Sequence, residues 1–245
     1  MILGIFGYGK MGKAIEQLAK DLNQINDVVI YRKNDDLNSF LEKIDIIIDF
    51  SVKDATEQLL DFLISSDFAK PLLIGTTALS ENTASNIVRY SKKAPVIIAS
   101  NFSLGANIQA VILEKISKVL AKDYDIDIID IHHREKLDSP SGTAYMLADH
   151  INKGLENAGI SKREIVTDRS ANPKRSADEI AIASIRAGNA TGEHSVIFSG
   201  KYDSITISHK VDRRELLAMG AIKTAIWLKD QKAGMHNIRE MLNIG

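Results

Sequence analysis

The chain has 245 residues, 44% of them hydrophobic and 26% charged, enough to bury one large core or two small ones. Its 31 Lys plus Arg against 32 Asp plus Glu leave a formal net charge of -1, which excludes a global basic field for nucleic acid or an anionic membrane and points to small-molecule partners. The absence of cysteine excludes disulfides and thiolate chemistry; with no signal-peptide pattern in MILGIFGYGK and no run approaching the ~20 apolar residues of a membrane span, a cytoplasmic location is expected.

In the first hundred residues short apolar runs alternate with helical patterns. Ile2 to Phe6, Val28 to Tyr31, Ile44 to Phe50, Pro71 to Ile74 and Pro95 to Ala99 read as strands, several nearly continuous in Ile, Val and Leu as in strands buried on both faces. Lys10 to Leu22, Lys53 to Ser66 and Ser80 to Lys92 carry apolar residues at helical spacing. Such alternation predicts an α/β fold with a parallel, doubly wound sheet. A long amphipathic helix, Leu104 to Ala121, leads to a second set of elements opened by DYDIDIIDI and a helix from about Thr143 to Glu156. The polar stretch SKREIVTDRSANPKRSADEI reads as a long loop. Ile180 to Arg186, Glu193 to Phe198 and Ser204 to His209 read as strands in antiparallel hairpins, with GKYD as one turn, and Arg214 to Lys229 as the last long helix. Two domains are expected, 1–103 for dinucleotide binding and 104–213 for substrate, with 214–245 packing back on the first although its helix fits either.

Gly7, Gly9 and Gly12 of GYGKMG lie between a strand and a helix. A bare GxGxxG also serves as a tight turn, but this context suits a dinucleotide: Gly9 lets backbone approach a pyrophosphate at a helix N-terminus. At the end of the second strand, where an acidic residue would grip the 2'-hydroxyl of NAD, the sequence places Tyr31, Arg32 and Lys33. Two cations there suit a 2'-phosphate; a solvated basic strand end is the alternative. Gly75-Thr76-Thr77 and Ala99-Ser100-Asn101-Phe102 follow the fourth and fifth strands, at the carboxyl ends where open α/β sheets bind ligands.

The stretch IHHREKLDSPSGTA gathers His132, His133 and Lys136 before a Ser-Gly-Thr turn. Neighbouring residues on an extended strand point to opposite faces, so the two histidines do not readily share a metal, and none is expected. Ser141 and Thr143 can cap the following helix, and N–H groups beside Gly142 suit a carboxylate. Lys136 adds a compact positive charge, and an imidazole of near-neutral pKa can donate a proton to a substrate so held. A structural histidine is the ordinary alternative for either ring.

With these segments in view, the chain resembles the 4-hydroxy-tetrahydrodipicolinate reductase (dihydrodipicolinate reductase) family of the diaminopimelate route to lysine. The resemblance rests on GYGKMG, DFS at 49 to 51, GTT, ASNFSLGAN, IHHREKLDSPSGTA, IRAGNATGEH and ISHKVDRRELLAMGAIKTAIWL, in the family's order from end to end. It implies a Rossmann-type first domain and a smaller α+β second domain with a mixed open sheet, a homotetramer joined through that sheet, and domain closure bringing cofactor and substrate together. By resemblance His132 is the proton donor and acceptor and Lys136 a second proton donor, while His133, Gly142 and Thr143 bind a dicarboxylate substrate. Gly7, Tyr8, Gly9, Lys10, Met11, Arg32, Gly75 to Thr77 and Ala99 to Phe102 would hold NADPH, preferred, or NADH. Three departures stand out: a glycine loop one residue shorter than in many members, Ala78 where glycine often follows GTT, and Tyr31 in place of an acidic residue. A non-catalytic NAD(P)-sensing module would leave HHREK and PSGTA unexplained; a different imine or aldehyde dehydrogenase on the same fold is a nearer alternative.

Overall fold

The ILGIF run forms β1 (Ile2–Phe6), and the glycine loop after it opens α1 (Lys10–Ala19). There follow β2 (Asp27–Tyr31), α2 (Leu37–Lys43), β3 (Ile46–Asp49), α3 (Lys53–Ser65), β4 (Leu72–Ile74), α4 (Glu81–Ser91) and β5 (Pro95–Ile98). Next come α5 (Leu104–Leu120), β6 (Asp125–His132), α6 (Gly142–Asn157), β7 (Glu164–Val166), β8 (Glu179–Arg186), β9 (Glu193–Ser199) and β10 (Ser204–Lys210). The chain ends with α7 (Glu215–Leu228), β11 (Gly234–His236) and α8 (Ile238–Leu242). These come from a computed structural model that describes residues 1–170, 174–213 and 215–244. The chain divides into two compact units, Met1–Leu104 with Glu215–Gly245, and Gly105–Arg214.

In the first unit the strands form one parallel sheet in the order β11-β5-β4-β3-β1-β2. Strand alternation sends Ile46 and Ile48 into one cluster, with Ile15 of α1 and Ala218 and Ile222 of α7, and Ile47 into another, with Phe40, Leu59, Leu60 and Ile87 of α2 to α4. Both faces are thus covered, and β3 is wholly buried. Each such Leu or Ile contributes roughly 1.5–3 kcal/mol on burial.

The second unit is built on a mixed sheet, β10-β9-β6-β8-β7, in which β8 runs parallel to β6 while β9 runs antiparallel to both β6 and β10. Its inward positions, among them Ile126, Ile128, Ile180, Val196 and Phe198, pack with Leu113 of α5 and Leu147 and Ile151 of α6. The same alternation makes Asp130 the third inward position of β6, a carboxylate at the end of an apolar row, with no solvent exposure.

The predicted hairpins form only in part. β9 and β10 make one, closed at Gly200–Asp203 by the Gly200 N–H to Asp203 C=O bond of 2.9 Å, but β6 lies between β8 and β9 and keeps them apart. The long predicted loop contains β7, whose three residues are too few to show alternation; its residues 171–173, and Arg214 at the predicted start of the last long helix, lie outside the described residues. The short α2, β11 and α8 also went unpredicted; α2 is marked only by its cap, Asp36, whose carboxylate accepts from Ser39 N–H at 2.8 Å.

Candidate active site

In the first unit the glycine loop is shaped by backbone requirements. Gly7 has φ +101°, a conformation that favours glycine. A Cβ on Gly12 would stand 2.3 Å from the carbonyl oxygen of Gly7, so α1 can rise this close to the strand only without a side chain. Gly9 is the N-cap of α1, offers no side-chain cap and faces open space, with nothing within 4 Å of an added Cβ. An uncapped helix start on an open approach fits a pyrophosphate. Tyr8 donates its hydroxyl to Glu16, and Lys13 lies 5.8 Å over its ring.

Beside this loop a cavity of about 780 Å³ is lined by Gly7, Tyr8, Tyr31, Arg32 and Lys33, among others. Tyr31 stacks on Phe6 at 4.8 Å and meets Phe40 edge-on at 5.3 Å, so its ring completes an apolar cluster. Arg32 and Lys33 are exposed. The later loops meet on the segment after β3. The ring of Phe50 lies where a Cβ on Gly75 would be 2.1 Å away, and sits 5.7 Å from the ring of Phe102. Asp49 is buried and accepts from Ser51 N–H (2.8 Å), Thr76 Oγ1 (3.2 Å) and the Thr56 hydroxyl (2.5 Å), which ties the Gly75–Thr77 loop to α3; burial pushes its pKa up. Thr77, Ala99 and Ser100 are exposed or half-buried, Asn101 accepts from Ser103 N–H at 2.8 Å, and Phe102 is buried in the core, so what it offers a ligand is backbone. Lys10 and Met11 open α1. Sequence reasoning quoted Asp49 and Phe50 within DFS but gave them no role.

In the second unit His132 ends β6 with its Nδ1 2.8 Å from Asp130 Oδ1. The same oxygen is 3.2 Å from Nε2 of His194, which β9 places opposite Asp130 in the ladder; the two imidazole rings are 5.2 Å apart. Asp130 Oδ2 accepts from Ser141 N–H (3.1 Å), Ser184 Oγ (3.1 Å) and both terminal nitrogens of Arg186 (3.4 and 3.3 Å). His194, Ser141 and the other donors around this carboxylate hold its pKa well below the usual range, against its burial. Burial pushes the His132 imidazole down to about 4, Asp130 opposing and His194, Lys136 and Arg186 adding to the shift. Ser141 is the N-cap of α6, its Oγ accepting from Ala144 N–H at 3.2 Å and lying 2.9 Å from His194 Nε2. Gly142 is exposed, with nothing within 4 Å of an added Cβ; Thr143, next to it in sequence, and His133, next to His132, are half-buried. Lys136 Nζ pairs with both carboxylate oxygens of Asp138, at 2.8 and 2.9 Å. Asp138 is 62% exposed, and exposed pairs are worth ~0–1 kcal/mol, so exchange for a ligand carboxylate costs little.

Asp130, His132 and His194 present ligand-type atoms within 4.8 Å of one another. Arg186 on the same carboxylate and Ser141 on the same imidazole make this a hydrogen-bonded, cation-opposed cluster. Sequence reasoning quoted Asp130 within DYDIDIIDI and Arg186 and His194 within IRAGNATGEH but gave them no role; the available signal for Asp130 was the period of two in IDIIDIH, which puts it and His132 on one face.

Two family models cover nearly all of the chain: dihydrodipicolinate reductase, N-terminus, over residues 1–102, and dihydrodipicolinate reductase, C-terminus, over residues 105–242. A 4-hydroxy-tetrahydrodipicolinate reductase of Campylobacter jejuni subsp. jejuni is 38% identical, covering 99% of each chain; one of Clostridium tetani is 36% identical, covering 96% of this chain and 94% of its own. Among solved structures, the dipicolinate-bound dihydrodipicolinate reductase of Paenisporosarcina sp. TG-14 superposes with a TM-score of 0.75 at 22% identity over 97% of each chain, a likeness of fold. The chain therefore belongs to the dihydrodipicolinate reductase family, oxidoreductases of the diaminopimelate route to lysine that use a nicotinamide cofactor.

Proposed function

We propose that in the reduction of 4-hydroxy-tetrahydrodipicolinate to tetrahydrodipicolinate His132 is the proton donor and acceptor and Lys136 a second donor. The observation that carries this reading is the juxtaposition of His132, held at a buried carboxylate, with the Ser141-capped start of α6. His133, Gly142 and Thr143 bind the substrate carboxylates, and Lys136 leaves Asp138 to pair with one of them. A flat dicarboxylate, dipicolinate, is the ligand named for the Paenisporosarcina relative, and the proposal carries that ligand class to this chain. Overall the substrate loses one water and gains one hydride and one proton. A bound reduced nicotinamide supplies the hydride. The protein's part is to hold the dicarboxylate and move the proton, and the substrate's negative charges raise the low pKa of His132 toward the working range.

On the first unit, Gly7 to Met11 receive the pyrophosphate, and Gly75 to Thr77 with Ala99 to Phe102 take the rest of the cofactor. NADPH is preferred over NADH because Arg32 meets the 2'-phosphate with a forked contact and Lys33 adds charge, while Tyr31 is committed to its ring stack and presents no carboxylate. A homotetramer through the second sheet is supported by the row Ile129, Ile131, Ile185 and Ile197, which is partly exposed on the face away from α5 and α6. A cytoplasmic location belongs to the same proposal; among the described residues no helix is long and apolar enough to cross a membrane.

The test is the loss of NADPH absorbance when the protein is given the product of dihydrodipicolinate synthase. Turnover with that product, inhibited by pyridine-2,6-dicarboxylate, is expected. Cofactor binding without turnover would contradict the reading.

A further inference from the structure

The carboxylate beneath His132 has two differently used oxygens. Oδ2 is taken by Ser141 N–H, Ser184 Oγ and Arg186, while among the described residues Oδ1 faces two imidazole nitrogens, His132 Nδ1 at 2.8 Å and His194 Nε2 at 3.2 Å. Among the described residues neither Oδ1 nor His132 Nδ1 has an aligned hydrogen-bond partner, so each is satisfied only through their 2.8 Å approach to one another, a close charge contact off the ideal hydrogen-bond line. A bare imidazole nitrogen would set its lone pair against this oxygen at contact distance in a buried site, which is repulsive. The nitrogen that faces Oδ1 therefore carries hydrogen. On the other side of the ring, a Cβ added to Gly192 would lie 3.2 Å from His132 Nε2 and 3.5 Å from Cδ2, so glycine at that position leaves Nε2 uncrowded.

We propose that Asp130 is the positioning residue for His132: it fixes the imidazole in the Nδ1–H form, so that Nε2, on the side of Gly192, is the atom that takes up and delivers the proton. The inference rests on the assignment of His132 as proton donor. By the same repulsion argument His194 Nε2, 3.2 Å from Asp130 Oδ1 and 2.9 Å from Ser141 Oγ, carries hydrogen too, and its positive edge helps to hold the carboxylate in place. The charged and titratable groups around His132 are Asp130 on β6, Arg186 on β8, His194 on β9 and Lys136 on the loop. Asp130 is the one anion among these side chains, so of them it is the one that stabilises the imidazolium that forms when Nε2 takes its proton, beside the charge that a bound dicarboxylate brings.

The experiment is nitrogen NMR of the full-length enzyme labelled with 15N-histidine, the His132 resonances being assigned by their loss in His132→Gln. At neutral pH the wild type should show protonated Nδ1 and unprotonated Nε2. Asp130→Asn, which keeps the shape of the side chain, should return His132 toward the Nε2–H form, lower kcat by about 100-fold, the low end of a general acid's contribution, and leave NADPH affinity unchanged. Its basic pH limb should move to lower pH, and Asp130→Glu should recover part of kcat. A wild-type His132 in the Nε2–H form would overturn the inference, and that spectrum decides the matter even if Asp130→Asn does not fold. Unaltered kcat and tautomer in Asp130→Asn would overturn it as well. Should His132→Gln itself retain full kcat, the underlying assignment of His132 fails, whatever the tautomer.

Discussion

The two units build their sites from different materials. In the first, the shape comes from backbone: Gly7 at positive φ, Gly12 against a carbonyl, an uncapped helix start, and a buried Asp49 whose three donors hold loops together. The second is made of ionisable side chains on neighbouring strands, Asp130, His132, His194 and Arg186, with Lys136 on the adjoining loop. A backbone site binds a ligand with little sensitivity to pH, whereas a cluster of coupled charges can move a proton. The difference predicts that substitutions in the first unit change cofactor affinity, and those in the second change turnover and pH dependence.

The largest effect should come from His132→Gln, which is expected to lower kcat by roughly 10²- to 10⁴-fold with NADPH affinity nearly unchanged, as steady-state kinetics and cofactor titration would read. Parallel loss of cofactor binding would erase the distinction between the units. The pH dependence of stability sharpens it. The folded pKa of His132, about 4, lies below its ordinary ~6.5, so its contribution is fully present above the ordinary value and falls as pH drops through the window between the two, by up to about 1.4 kcal/mol per unit. Asp130, lowered in the fold, adds a loss only at more acid pH. Urea unfolding should show this slope for the wild type and a shallower one for His132→Gln.

Lys136→Ala should weaken pyridine-2,6-dicarboxylate by roughly 1.5–3 kcal/mol and raise the substrate KM, as calorimetry and kinetics would show; unchanged affinity would return Lys136 to its pair with Asp138. Arg32→Ala should cost NADPH about tenfold in KM and spare NADH, because an exposed charged contact is discounted by solvent; equal use of both cofactors by the wild type would make Arg32 and Lys33 a solvated strand end. The smallest change concerns Ala78, whose φ of +57° is a left-handed position beside the Gly75–Thr77 loop. Ala78→Gly should stabilise the protein by about 0.5–1 kcal/mol, a rise of ~1–4 °C in Tm, without altering kcat.

What was legible in the sequence follows the same division. The glycine loop could be read because its constraints are local: three glycines, a strand before and a helix after. IHHREKLDSPSGTA could be read as a cluster because its groups are close in the chain, and Ser141 caps α6 as its position suggested. Asp130, His194 and Arg186 could not be gathered that way. They lie on three strands, and only the ladder pairs Asp130 with His194 and His132 with Arg186. The same ladder explains the misread hairpin, since a non-local strand, β6, takes the place between β8 and β9 that adjacency in sequence would have given them. The elements that were missed, α2, β7, β11 and α8, are three to seven residues long and show too little of either period to register.

The most direct test of the division between the units is hydrogen exchange read by mass spectrometry, with NADPH and pyridine-2,6-dicarboxylate added separately. NADPH should protect the turn from β1 into α1, residues 31–34 and the Gly75–Thr77 loop, and the dicarboxylate should protect residues 132–144. A dicarboxylate footprint confined to the glycine loop, or protection of 132–144 by NADPH alone, would contradict the account.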